Sequence, residues 1–200
     1  MLKSNPSILR QLGYGSVAVA LALGLAACAE GQSMNARPAG AVTVGGQPML
    51  PGKDIVDNAV NSADHTTLVA AVKAAGLVDT LKSPGPFTVF APTNAAFNAL
   101  PRGTVDTLLR PENKQTLTGV LTYHVVPGRL DAAALKSQIA AGNGQATLKT
   151  ASGGTLVATS NGPNNVLIRD AKGGVASITT YDVYQSNGVI HVVDRVLLPR

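Results

Sequence analysis

The stretch TVFAPTNAAFNALP, Thr88–Pro101, changes periodicity in its middle. TVFA has the β-branched and aromatic content of a buried strand, and Pro92 closes it. Thr93 or Asn94 then offers a side-chain oxygen to cap a short helical turn that faces Phe97 and Leu100 inward. A strand is therefore expected here, yet its surroundings read as helix. In DIVDNAVNSADHTTLVAAVKAAGLVDTL (54–81), Ile55, Ala59 and Val60 share one face and Leu68, Val69, Val72 and Ala75 another. Asp64 or Thr66 can cap, and Gly76 is placed to stop the run. Further helical stretches start near Thr104, after Pro111 in ENKQTLTGVL, and at Asp131, which caps a helix running to Ala141 before Gly142. Beyond it, QATLKT, TLVATS, NVLIRD, VASITTYDVYQ and GVIHVVDRVLL are separated by Ser-Gly-Gly, Asn-Gly-Pro-Asn, Lys-Gly-Gly and Ser-Asn-Gly, which is hairpin chemistry. Helices first and strands second, with one strand contributed from the helical half, argues α+β.

The 200 residues suit one ordinary domain with one core, and a 45% hydrophobic share excludes disorder of the whole chain. The first 28 residues form a separate signal. Lys3 and Arg10 give a positive start, SVAVALALGLAA (16–27) an apolar run too short to span a bilayer, which takes about 20 residues, and small residues lead to the lone Cys28. LAAC, Leu25–Cys28, resembles the lipobox of bacterial lipoproteins, in which the cysteine is acylated and becomes the new N-terminus. On that resemblance Cys28 is the lipid attachment site and forms no disulfide. With Ala29 and Glu30 after it and no Asp, the resemblance to Gram-negative lipoproteins implies the outer membrane over the inner. Residues 29–52 hold eight Gly or Pro and no period, and read as a leash with a reach of roughly 25–30 Å, although Met49 and Leu50 could dock on the domain. The expected layout is a signal peptide over 1–27, a lipidated N-terminus and flexible linker over 28–52, and a domain over 53–200. Loss of Lys3 and Arg10 lowers the formal charge of +5 by two, and no basic run is interleaved with aromatics, so nucleic acid is not an expected partner.

The block LTYHVVPG, Leu121–Gly128, sets Tyr123 beside His124 in an apolar run ending at a Pro-Gly corner. Read as strand, the two side chains point to opposite faces and cannot serve one bound group together. A buried His124 needs partners for its ring nitrogens, so its expected role is structural, with a binding contact second. His65, His124 and His191 lie 59 and 67 residues apart, without the close pair of metal motifs, and no metal site is expected. His65, among helix caps, is expected to be exposed. No G-x-S-x-G occurs, and Ser152 sits in a hairpin signal. Both faces of GVIHVVDRVLL are apolar, which makes it a central strand covered on both sides, where Asp194 would need a partner or a bulge. Gly153-Gly154 and Gly173-Gly174 read as turns, since neither opens a helix after a strand.

Three blocks in order, TVFAPTNAAFNALP, LTYHVVPG and SNGVIHVVDRVLLP (186–199), resemble the fasciclin (FAS1) domain, and the likeness covers about Met49–Arg200. The resemblance implies a wedge of mostly antiparallel β-sheet with several short helices packed around it, secreted or held at a surface. It implies adhesion and protein contact without catalytic chemistry or cofactor. Tyr123, His124, Asn187, Gly188 and His191 match the family's blocks and are the candidate interaction or structural residues. Asn94 stands where many relatives have Asp, and Arg195 where many have a small residue. The Asp-Ile adhesion motifs of some animal members are absent. The expected protein is a non-enzymatic envelope module whose partners are proteins or surface polymers and, through its lipid, the membrane. The alternatives are a small-ligand carrier or hydrolase-type enzyme using a cleft near His124, or an assembly factor for an envelope complex.

Overall fold

The computed structural model describes residues 41–162 and 165–200, all within one compact unit. Its first half is built from short helices, several of them capped by side-chain oxygens. Asp54 accepts from the Asp57 N–H at 2.8 Å and starts α1, Ile55–Ala59. α2, Thr66–Ala75, ends at Gly76, whose φ of 74° lies in the left-handed region where a glycine costs least. α3 is Val78–Lys82. α4, Asn94–Asn98, is capped by the Thr93 hydroxyl, which accepts from the Ala96 N–H. α5, Thr104–Leu108, and α6, Lys114–Tyr123, follow. α7, Ala132–Ala141, is capped by Asp131 and stops at Gly142.

The seven strands of the main sheet are β3 (Phe87–Pro92), β4 (Val125–Pro127), β5 (Gln145–Lys149), β6 (Thr155–Asn161), β7 (Asn165–Arg169), β8 (Val175–Gln185) and β9 (Gly188–Val193). Their order is β4-β3-β9-β8-β7-β6-β5, antiparallel except where β3 runs parallel to β9. The sheet curls until the Ala151 N–H reaches the Val125 carbonyl at 2.7 Å, beside its opposite edge. Two apolar clusters lie across it. Val89, Ala91, Ile190 and Val192 face one shared with α1, α2, α6 and Met49. Phe90 and Val193 face the other, with α7, Leu156, Val166 and Ile168. β9 is buried along its whole length, as its two apolar faces require.

Three expectations are corrected. The linker expected through Gly52 ends earlier: β1 (Val42–Val44) and β2 (Gln47–Met49) form a hairpin, and Val44 and Met49 enter the first cluster. Burial of those two side chains fixes a segment whose composition alone reads as leash. Tyr123 and His124 are not on a strand. Tyr123 ends α6 and His124 is its C-cap, because no Gly or Pro intervenes before Pro127 to stop the helix sooner. Asp194 lies past the end of β9, exposed, with its carboxylate accepting from the Ser177 N–H at 2.8 Å, so no buried charge arises. The signal segment and Cys28 lie outside the described residues.

Candidate functional site

Helix α6 delivers Tyr123 and His124 to opposite clusters from adjacent positions. The Tyr123 ring is fully buried, and its hydroxyl donates to the Thr155 carbonyl at 2.6 Å while accepting from the Ala171 N–H at 2.9 Å. Burial pushes its phenol up from the ordinary value. His124 Nε2 accepts from the Leu197 N–H at 2.9 Å. That acceptance puts the proton on Nδ1, which donates to the Val120 carbonyl at 2.8 Å. The His124 carbonyl also receives the Phe90 N–H at 2.9 Å. One neutral residue thus joins α6, β3 and the C-terminal segment, and its burial drops the imidazole from 6.5 to about 4.

His191 follows the same logic on β9. Its Nε2 donates to the Leu130 carbonyl at 2.8 Å, and its Nδ1 faces the Asp182 N–H at 3.4 Å. Asp182 has φ of 55° where the β8–β9 register breaks, a bulge that aims its carboxylate at the Ala132 N–H, 2.7 Å away at the start of α7. Phe90 stacks on the His191 ring at 5.8 Å between centroids. Burial lowers the His191 value, while the Leu130 carbonyl and then Asp182 and Asp131 oppose it.

Asn187 turns β8 into β9. Its Oδ1 accepts from the Ile55 N–H at 3.1 Å, and its Nδ2 donates to the Leu81 and Ser83 carbonyls at 2.7 and 3.2 Å. Beside it, a Cβ on Gly188 would collide with the Phe87 carbonyl, so the parallel approach of β9 to β3 demands glycine. The five block residues therefore do not converge on one pocket. Each closes a different seam between elements.

His65 is buried, not exposed. Its Nδ1 meets the Ser62 hydroxyl at 2.8 Å, and Nε2 has no hydrogen-bond partner. A hydroxyl–imidazole contact is half of a nucleophile–base arrangement, but a third group orienting the ring is missing from its free nitrogen. His65 and His124 do not act together, because both nitrogens of His124 are committed. Among the described residues no three His, Cys, Asp or Glu side chains gather to hold a metal.

Three polar residues hold the frame: sequence reasoning missed Asn58 and Asp170 and read Asn94 as a cap of its own helix. Asn58 exchanges hydrogen bonds with the Leu50 backbone at 2.8 and 3.0 Å and contacts Gln185, which pins the end of the β1–β2 hairpin. Asn94 caps α2, not its own helix: Oδ1 accepts from the Thr67 N–H at 3.0 Å and Nδ2 donates to the Ala63 carbonyl at 2.8 Å. Asp170 accepts from the N–H groups of Lys172, Gly174 and Leu198. Of the two that were missed, only Asp170 carried a local signal, the Asp-x-x-Gly-Gly order of an Asx turn.

The fasciclin domain model matches residues 63–199. Protein sll1483 of Synechocystis is 49% identical over 147 residues, 72% of this chain and 73% of that protein. The cell surface glycolipoprotein MPB83 of Mycobacterium bovis is 33% identical over 177 residues, 86% of this chain and 70% of its own length. A solved fasciclin domain pair from the insect cell adhesion molecule fasciclin I superposes with a TM-score of 0.53 at 23% identity, over 66% of this chain and 43% of that one, and shares its fold.

Proposed function

This chain belongs to the fasciclin domain family, and from that premise we propose that it is a non-catalytic adhesion or protein-interaction module held to the outer membrane of a bacterial envelope by a lipid on Cys28. Its partners are other proteins or surface polymers. One observation carries the reading: Tyr123, His124, Asn187 and His191 are buried and bonded to the protein's own backbone. The blocks that define the family are thus consumed in building a rigid body, and contact is left to the exterior. MPB83 is a cell surface glycolipoprotein and fasciclin I an adhesion molecule, which supports the placement and the role. The LAAC sequence supports the anchor.

Two experiments test it. Cys28→Ser should move the protein from the membrane to the soluble fraction, and retention would overturn the lipid anchor. Beads coated with the protein should adhere to envelope or matrix preparations, with wild-type and Tyr123→Phe proteins differing in melting temperature far more than in adhesion. Loss of adhesion in Tyr123→Phe at unchanged melting temperature would place a contact surface where a buried brace is proposed.

A further inference from the structure

The sequence contains three Asn-Gly dipeptides, Asn143-Gly144, Asn161-Gly162 and Asn187-Gly188. The pair has a chemistry of its own, because glycine has no Cβ to keep its backbone nitrogen away from the asparagine side chain. That nitrogen can attack Cγ, its proton passing to solvent while the side-chain nitrogen leaves as ammonia, and a cyclic succinimide results. Water then opens the ring at one carbonyl to leave aspartate, or at the other to leave isoaspartate, in which the main chain runs through the side-chain carbon. Amide and water become carboxylate and ammonium, with no oxidant or reductant consumed.

Ring closure needs a side-chain amide free to turn, a glycine nitrogen free of hydrogen bonds, and water. The fold grants these unequally. Asn187 is buried, and its amide is held by the Ile55 N–H and by the Leu81 and Ser83 carbonyls. Asn143 is exposed, but the nitrogen that would attack it is engaged: the Gly144 N–H donates to the Ile139 carbonyl at 2.9 Å, in the turn that ends α7. Asn161 closes β6, and both it and Gly162 are exposed. Among the described residues neither the Asn161 side chain nor the Gly162 N–H has a hydrogen bond. A Cβ on Gly162 would meet nothing within 4 Å, so the space around the attacking nitrogen is open.

We propose that Asn161 is the modification site at which the folded chain deamidates, with Asn143 slowed by its neighbour's hydrogen bond and Asn187 protected by burial. The product is a new carboxylate on the exterior. Asp170, Asp182 and Asp194, the acids of the chain beyond α7, all accept from backbone N–H groups. Lys149 and Arg169, on exposed positions of β5 and β7, make no ion pair among the described residues. A carboxylate at position 161 is therefore the first uncommitted acid of the β5–β8 meander, and it changes the charge of that surface while leaving the core alone. The site stands independently of adhesion, since the reaction needs only the chain and water.

The test is peptide mass mapping of the full chain after incubation at mildly alkaline pH, once folded and once in concentrated urea. Cleavage after Lys and Arg sends the three dipeptides into separate peptides, 137–149, 150–169 and 173–195. In the folded protein the amide-to-acid mass gain should appear first in 150–169, located on Asn161 by fragmentation. Asn143 should convert about five-fold more slowly, the equilibrium weight of one net hydrogen bond. Asn187 should stay intact, because its surroundings must open first. In urea the three rates should converge. Asn161→Gln should remove the gain from 150–169, since the longer side chain must close a larger ring. An unconverted Asn161 in the folded chain, a faster gain at Asn143 or Asn187, or the same order of rates in urea as in the folded state would overturn the proposal.

Discussion

On the face of the sheet that carries α7, Tyr123, Leu135, Leu156 and Ile168 are fully enclosed, and the polar tips of Tyr123 and His191 have partners. On the face beneath the β1–β2 hairpin and α1–α3, a void remains and His65 Nε2 has no partner. The same chain therefore packs one side as a solid and leaves the other open. The curl of the sheet explains the first, since strands that bend toward one another interdigitate their side chains. The second is roofed by five- and ten-residue helices and a hairpin of two three-residue strands, pieces too short to close every gap. Cohesion is concentrated on the α7 face, and unfilled volume on the other.

The comparison breaks most decisively at Leu156. Leu156→Ala, in the closed cluster, should cost about 4 kcal/mol in urea unfolding, because dense surroundings collapse poorly around a deletion. A loss under about 1 kcal/mol would mean that this face is no tighter than the other.

Acid supplies the next largest effect. The His124 value falls from 6.5 when unfolded to about 4 when folded, so between those limits the unfolded chain binds the extra proton. Stability is complete above about pH 6.5 and decreases as pH falls toward 4, by about 3 kcal/mol from this residue alone. His65 and His191 are lowered as well and act in the same direction. NMR titration of the ring protons should show His65, on the open face, protonating at higher pH than His124. The reverse order would contradict the looser packing around His65.

Adding one methylene to each face sharpens the contrast. Val192→Ile extends into the void and should raise stability by about 0.8 kcal/mol. Val166→Ile enters the closed cluster and should lower it by about 1 kcal/mol or more. Equal effects in thermal melts would show equal packing.

The smallest effect concerns a cap on the open face. Asn94→Asp keeps the oxygen that accepts from Thr67 but sets a carboxylate against the Ala63 carbonyl, and should cost about 1 kcal/mol. An unchanged melting curve would show that the amide hydrogens hold nothing.

Much of the frame was legible because its signals are local. Asp131, Gly142, Thr93 and Gly76 mark helix ends through their own backbone chemistry, and the Gly-rich dipeptides mark the hairpins between β5 and β9. The β3 strand was readable from composition alone. What escaped depends on contacts made across the chain. The β1–β2 strands are three residues each, too short for alternation to register, and only docking of Val44 and Met49 orders them. His124 was misplaced because the Val-Val pair after it has strand composition while the helix before it lacks a stop. Burial of His65 arises from helices and a hairpin folded over it, which nothing in SADHTT announces. Of the block residues, His124 makes one hydrogen bond through each ring nitrogen, to Val120 and Leu197. The open cavity left no trace in the sequence, since a void is a property of how apolar surfaces fail to meet.

The position of β9 has a consequence for biogenesis. It is the strand that joins the β4-β3 pair to the β5–β8 meander, and it comes last in the chain. A polypeptide still leaving the ribosome, or still threading through an export channel, therefore carries two unjoined fragments of sheet. Loops of this length close late, because their entropy is lost before any contact repays it. The seven-stranded sheet is therefore continuous only once β9 has docked between β3 and β8.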